Sequence, residues 1–195
     1  GLMVISPGIP SDSDIANAVR ERKIPIWSEI ELAYQVGDGK LAAITGTNGK
    51  TTTTSLVGEI FSAHTSNSFT VGNIGIPYTE VVLKMNRESY TVAEVSSFQL
   101  ETIVDFKPHV SAVLNVTPDH LDRHYTMENY ASVKLDICRN QTEQDYLVLN
   151  YDDPVTRQMA EDERVKAKVI FFSRLHSIEE GICLKGETIV LREAG

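Results

Sequence analysis

Short, almost uninterrupted apolar runs recur along the chain, separated by stretches with helical spacing. Residues 41–44, 91–95, 110–116, 146–150 and 168–172 read as strands, and helical patterns begin at Lys50 and at Met127. Continuous rather than alternating apolarity is what a strand shows when helices cover both faces of its sheet. The alternation therefore predicts an α/β fold, a mainly parallel sheet with flanking helices. Residues 182–191, folding around Gly186, predict a small β-hairpin near the C-terminus. Leu56, Val57, Ile60 and Phe61 recur at helical spacing after Lys50, which predicts one apolar stripe laid on the sheet.

The character differs before residue 40. Residues 3–8 read as a strand running into a turn, followed by a helix around Ile15, Ala18 and Val19. A second short helix opens at Ser28, with a capping box from Ser28 to Glu31, and closes near Gly37. Residues 1–37 thus read as the tail of a preceding domain plus a connector, and residues 38–195 as the main domain. That domain is expected to be incomplete, since the closing elements of a doubly wound fold do not follow the hairpin. The sequence shows no internal repeat and no low-complexity tract.

The densest chemical signal is the segment Ile44-Thr-Gly-Thr-Asn-Gly-Lys-Thr-Thr52, which joins an apolar strand to a helix. Glycines let the backbone curl so that successive N–H groups face an anion, and the helix N-terminus adds partial positive charge. Gly46, Thr47, Asn48, Gly49, Lys50, Thr51 and Thr52 are the candidate cradle. Lys50 can reach β- and γ-phosphates, and the Thr51 hydroxyl is placed to ligate Mg²⁺. Against the strict pattern G-x-x-x-x-G-K-[ST], the first glycine position holds Ile44.

Bulk properties narrow the partners. A formal net charge of −9 argues against general nucleic-acid binding, which needs clustered Lys and Arg to neutralise phosphates. An anionic substrate would need a local positive site inside an acidic protein. No stretch reads as a bilayer span, and residues 2–5 are too short for the apolar part of a signal peptide, so membrane insertion is not expected and a cytoplasmic setting is. Cys138 and Cys183 lack metal-ligand spacing and fall in apolar stretches, where small buried hydrophobes are expected.

Three further constellations carry candidate chemistry. Glu94 ends an apolar strand, where open parallel sheets place their ligand crevice, and is a candidate metal ligand or a solvated strand-end carboxylate. Ser96 and Ser97 follow it as turn formers or substrate donors. The loop Asp119-His120-Leu121-Asp122-Arg123-His124 also follows an apolar strand. His120 can ligate a metal or bond a substrate oxygen, and Arg123 suits a carboxylate or phosphate. With Thr126 as N-cap, Lys134 falls inside the apolar arc of Tyr130, Ala131, Val133, Leu135, Ile137 and Cys138. An amine there must snorkel, pair or lose its charge, and a neutral amine can react with CO₂ to give a carbamate. Gly72-Asn73-Ile74-Gly75 is a glycine-bracketed turn that could also hold a substrate amide or phosphate.

In this order, the segments resemble the Mur ligase family, the ATP-dependent amide-bond ligases that build the peptide of bacterial peptidoglycan. Gly46-Thr-Asn-Gly-Lys-Thr-Thr52 is similar to the family's form of the P-loop, which accounts for the missing first glycine. Gly72-Asn-Ile-Gly75, Glu94-Val-Ser-Ser-Phe-Gln-Leu-Glu101 and Asn115-Val-Thr-Pro-Asp-His-Leu-Asp-Arg-His124 resemble its D-glutamate-adding members. The resemblance implies the P-loop NTPase-like central domain of a three-domain enzyme, with ATP and Mg²⁺ as cofactors. It implies UDP-MurNAc-L-Ala and D-glutamate as substrates, an acyl-phosphate intermediate and a monomer. By resemblance Lys50 holds the β/γ-phosphates, Thr51 and Glu94 place one Mg²⁺, and His120 with carbamylated Lys134 places a second. Asn73, Ser96 and His120 match the contacts to the muramoyl-alanine part, and Gly8 the approach to the UDP-sugar.

Residues 1–37 then correspond to the tail of the N-terminal UDP-binding domain, with the C-terminal domain outside the chain. The rival readings are a folylpolyglutamate synthetase-like ligase and a non-catalytic P-loop nucleotide-binding domain. A regulatory GTPase or motor ATPase would instead require a strand-end Asp and switch motifs.

Overall fold

The computed structural model describes residues 1–192. Their element order begins with β1 (Met3–Ile5), α1 (Asp14–Glu21), β2 (Ile26–Ser28) and α2 (Glu29–Val36). The phosphate-cradle region follows as β3 (Lys40–Thr45), α3 (Lys50–His64), β4 (Ser68–Gly72), α4 (Tyr78–Val81) and β5 (Tyr90–Glu94). After these come α5 (Ser97–Leu100), β6 (Val110–Val113), α6 (Leu121–His124), α7 (Met127–Leu135), β7 (Tyr146–Asn150) and α8 (Pro154–Met159). The last strands are β8 (Lys168–Ser173), β9 (Gly181–Lys185) and β10 (Thr188–Arg192).

β1 and β2 form a small parallel pair, and the other strands make one sheet in the order β10-β9-β8-β7-β6-β3-β5-β4. All neighbours in that sheet run parallel except β9 and β10, the hairpin expected around Gly186. From β3 the chain crosses to β4 and β5 on one side and then to β6 on the other. The C-terminal end of β3 is therefore the switch point where such sheets open a ligand crevice.

The larger core lies on the face of Leu41, Ala43, Ala93, Val113, Leu147 and Leu149, against Ile30 and Ala33 of α2 and Tyr130 and Leu135 of α7. A smaller cluster of Ile44, Val92 and Ala112 lies on the other face, against Val57 and Phe61 of α3. The expected α3 stripe is only half realised. Val57 and Phe61 pack, but Leu56 and Ile60 are 61% and 59% exposed, while Thr54 and Gly58 are buried. α3 lies so close to β4 that a Cβ on Gly58 would overlap the Thr70 hydroxyl, and this tight seat turns the helix away from its most apolar positions.

Strand ends and caps also differ in part from expectation. The run 110–116 leaves regular strand geometry after Val113, freeing Leu114, Asn115 and Val116 to form the rim of the crevice. Ser28 sits at the N-cap of α2, but the capping box with Glu31 does not form. Glu31 is fully buried, and its carboxylate accepts the N–H groups of Val104, Asp105 and Phe106 at 2.8–3.0 Å. Three donors on a loop leading toward β6 outcompete one at the helix start. A capping box does form at Ser96, whose hydroxyl accepts from the Gln99 N–H while the Gln99 side chain accepts from the Ser96 N–H. α7 is capped as expected, with the Thr126 hydroxyl accepting from the Asn129 N–H at 3.1 Å.

Candidate active site

The cradle is built by β3, the turn after it and the first residues of α3. Gly49, at φ +81°, occupies the N-cap of α3 in a left-handed conformation that most side chains resist. Asn115 locks the turn from the end of β6: its side-chain oxygen accepts the Asn48 N–H at 2.8 Å, and its amide donates to the Asn48 carbonyl at 3.0 Å. The Thr47 hydroxyl accepts the Thr117 N–H at 3.0 Å and lies 3.4 Å from the Tyr130 hydroxyl. Lys50 folds back over the loop, donating to the carbonyls of Gly46 and Thr47 at 2.9 and 3.0 Å.

A cavity of about 450 Å³ opens over this loop, lined by Thr47–Thr52 together with Asn73 and Glu94. Glu94 is 2% exposed, so it is no solvated strand end. One carboxylate oxygen accepts from the Asn73 side-chain amide at 3.0 Å, and the other is buried with no hydrogen-bond partner among the described residues. A buried carboxylate oxygen left unpaired is costly and uncommon in a folded protein. Gly72, at φ +97°, brings β4 against β5 so closely that a Cβ there would overlap the Glu94 carbonyl oxygen. That approach sets Asn73 beside the carboxylate.

Lys134 does not snorkel, and among the described residues it forms no ion pair. It is 1% exposed, donates to the Gly46 carbonyl at 2.9 Å and lies 4.6 Å over the Tyr130 ring. The ammonium groups of Lys50 and Lys134 thus share one carbonyl oxygen. Burial and, behind it, the charge of Lys50 push the Lys134 amine down to about 7, against a smaller upward pull from Asp119. Near neutral pH a sizeable fraction of this amine is uncharged and nucleophilic.

His120 takes φ +51°, with its ring packed on Phe98 at 4.9 Å and its Nε2 3.5 Å from Asp119. Neither His120 nor Lys134 lines the cradle cavity. Ser96 lies just beyond Glu94, its hydroxyl engaged with Gln99 at 3.0 Å. Gly8 lies in the turn after β1, closed by the Ile9 N–H donating to Ser6, and faces open space. The turn borders a second cleft of about 360 Å³ lined by Val4–Pro7, Glu29, Gly72, Asn73, Pro77 and Gln99. Asn73 is common to both cavities. Arg123 reaches this turn rather than open solvent: it donates to both Glu101 oxygens at 3.1 and 2.7 Å and to the Pro7 carbonyl at 3.3 Å.

Asn115 and Tyr130, neither of them a candidate site residue by sequence, tie the cradle to its neighbours. Asn115 was legible as a polar residue inside an otherwise apolar strand-like run. Tyr130 was not, because a tyrosine on an apolar arc looks like ordinary core. Among the described residues no group of three or more His, Cys, Asp or Glu side chains is clustered to hold a metal. A hydroxyl plus one carboxylate still suits Mg²⁺, which keeps several waters and takes few protein ligands. Thr51 and Glu94, whose second oxygen is orphaned, line one cavity, which fits that demand.

A parallel α/β domain with a P-loop-type phosphate cradle at the switch point of its sheet is the class that this fold and site define. The chain belongs to the Mur ligase family, whose middle domain matches residues 44–181. Two relatives are both UDP-N-acetylmuramoylalanine–D-glutamate ligases. That of Lachnospira eligens is 54% identical over 188 residues, covering 96% of this chain and 41% of the relative. That of Lachnoclostridium phytofermentans is 50% identical over 192 residues, covering 98% of this chain and 42% of the relative. The chain thus spans well under half the length of these relatives.

Solved structures share the fold at much lower identity. The UDP-N-acetylmuramate:L-alanyl-gamma-D-glutamyl-meso-diaminopimelate ligase of Neisseria meningitides superposes with a TM-score of 0.65 at 14% identity, over 96% of this chain and 64% of that one. MurF ligase of Thermotoga maritima in complex with ADP gives 0.59 at 17% identity, over 92% of this chain and 49% of that one. No helix among the described residues is long and apolar enough to cross a membrane.

Proposed function

We propose that the chain is the central, nucleotide-binding part of an ATP-dependent ligase that adds D-glutamate to UDP-MurNAc-L-Ala in peptidoglycan biosynthesis. One observation carries the reading: a phosphate cradle and a second cleft meet at Asn73, beside a buried carboxylate oxygen that has no partner among the described residues. The near-half identity to D-glutamate ligases along the chain supports the choice of substrate. In this reading residues 1–37 are the tail of the UDP-binding domain with its connector, residues 38–195 belong to the central domain, and the enzyme is a cytoplasmic monomer.

The reaction brings two anions together. A carboxylate oxygen of the acceptor attacks the γ-phosphorus of ATP, and the bond to the β–γ bridging oxygen breaks to release ADP. The D-glutamate amine then attacks the acyl carbon, loses a proton and expels phosphate. Catalysis of such steps is mainly positioning and charge stabilisation. The cradle N–H groups and Lys50 hold the β- and γ-phosphates, with Lys50 exchanging its carbonyl partners for phosphate oxygens. Thr51 and Glu94 would hold one Mg²⁺, and His120 with a carbamate on Lys134 a second; bound there, the metal supplies positive charge to offset the repulsion between the anions. The neutral Lys134 amine attacks CO₂ and loses a proton, which replaces a second ammonium beside Lys50 with an anion. Asn73, Ser96 and His120 face the muramoyl-alanine part, and the Gly8 turn the UDP-sugar.

The test is incubation with Mg-ATP, UDP-MurNAc-L-Ala and labelled D-glutamate, with mass spectrometry of the product and parallel measurement of ATP binding. Formation of the D-glutamyl product is the expected result for the full-length enzyme, and ATP binding for this chain. Absence of ATP binding by a folded chain would overturn the reading.

A further inference from the structure

Arg123 is nearly buried yet bonds to nothing in the cradle. Its guanidinium makes a two-pronged pair with Glu101, the two side chains being 16% and 13% exposed, and its remaining donors turn to Pro7 and Ile9 carbonyls at 3.3 and 3.5 Å. Its guanidinium carbon lies over the Phe98 ring, 4.3 Å from the centroid, and the same ring neighbours His120 at 4.9 Å and His124 at 5.5 Å. A second tether runs parallel to the first, with the Tyr125 hydroxyl donating to Asp12 at 3.4 Å. The short helix α6 is bracketed by His120 and Tyr125, both at positive φ, so its geometry is held by these outside contacts rather than by local preference.

We propose that Arg123 and Glu101 are a positioning pair: they pin the Ser6–Ile9 turn, a wall of the second cleft, to the loop that carries His120. The inference rests on the reading of that cleft as the acceptor site. Arg123 then serves the acceptor through the backbone it holds, and the affinity for the acceptor, not for the nucleotide, depends on it. The planar fork of arginine is required because one group must meet a carboxylate with two parallel bonds, reach two carbonyls and stack on a ring. A lysine ammonium can do only one of these at a time.

The test, in the full-length protein, compares wild type, Arg123→Lys and the double variant Arg123→Met with Glu101→Gln, which leaves no unpaired buried charge. Hydrogen exchange is followed by mass spectrometry over residues 6–12 and 41–54, with calorimetric titration of UDP-MurNAc-L-Ala and of Mg-ADP. Both variants are expected to speed exchange over residues 6–12 by about tenfold or more while leaving residues 41–54 unchanged. They should weaken UDP-MurNAc-L-Ala binding by about tenfold and Mg-ADP binding by less than about twofold. Unchanged exchange over residues 6–12, or equal loss of both affinities, overturns the proposal. Faster exchange together with no binding of UDP-MurNAc-L-Ala by wild type keeps the tether and overturns the acceptor reading instead.

Discussion

Glu31 and Glu94 are both buried carboxylates, and they have opposite surroundings. Glu31, on α2, is closed on every side by three backbone N–H groups and the Gln35 amide, and fixes the loop leading toward β6. Glu94, at the end of β5, lines the cradle cavity and has one partner, Asn73, while its other oxygen is buried with none among the described residues. The lysines repeat the contrast. Lys107, a third exposed, pairs with buried Asp145 at 3.1 Å, whereas Lys134 is buried against a carbonyl that already serves Lys50. A saturated buried charge stabilises a fold; an unsaturated one costs stability and is retained where a ligand completes it.

The contrast can be broken first at the open site. In the full-length enzyme, Lys50→Ala, Glu94→Ala or His120→Ala should each lower the ligation rate by about 10²–10³ or more, read as product formed per unit time. Near-wild-type turnover in any of them would remove that residue from the site. Glu94→Gln should cost the same in rate without lowering the thermal midpoint, because it removes a buried charge whose second oxygen has no partner among the described residues.

At the closed site the order reverses. Glu31→Gln should cost about 3 kcal/mol of stability in denaturant titration, since an amide cannot accept as the carboxylate does from three donors, while Mg-ADP affinity stays near wild type. Equal stability losses at Glu31 and Glu94 would erase the distinction.

Lys134 offers a finer probe through pH. Its folded-state value of about 7 lies below that of an exposed lysine, so between roughly pH 7 and pH 10 the unfolded chain binds more protons. Stability therefore rises with pH across that window and levels off below it, where the amine is protonated in both states. Relative to Lys134→Met, the wild-type unfolding free energy should climb by up to about 1 kcal/mol per pH unit there. Parallel curves for the two proteins would mean that the amine is not perturbed. The smallest effect is expected at Thr126→Ala, which removes the cap of the helix carrying Lys134 at a cost of about 1 kcal/mol in stability.

Much of this contrast lay within reach of the sequence, though unevenly. Glu94 was conspicuous because an acid ends an apolar strand, and Lys134 because helical spacing put an amine on an apolar arc. Glu31 instead read as half of a capping box, and Arg123 as a free anion binder. Their actual partners lie 73–75 residues away for Glu31 and 114–116 residues away for the carbonyls of Ile9 and Pro7. No local pattern encodes such distances.

The amino-acid sequence by itself determined what short-range physics governs. It set the apolar runs that become parallel strands, the glycines that permit the cradle, the hydroxyl that caps α7 and the hairpin at Gly186. Tertiary structure alone decided which lone pairs and charges were left over. Packing of α3 against β4 exposed Leu56 and Ile60, the approach of β4 to β5 set Asn73 on one oxygen of Glu94, and the seating of α7 drove the Lys134 amine onto the Gly46 carbonyl. Backbone preferences extend over a few residues, whereas the satisfaction of a buried polar group depends on whichever distant segment the closed core brings beside it.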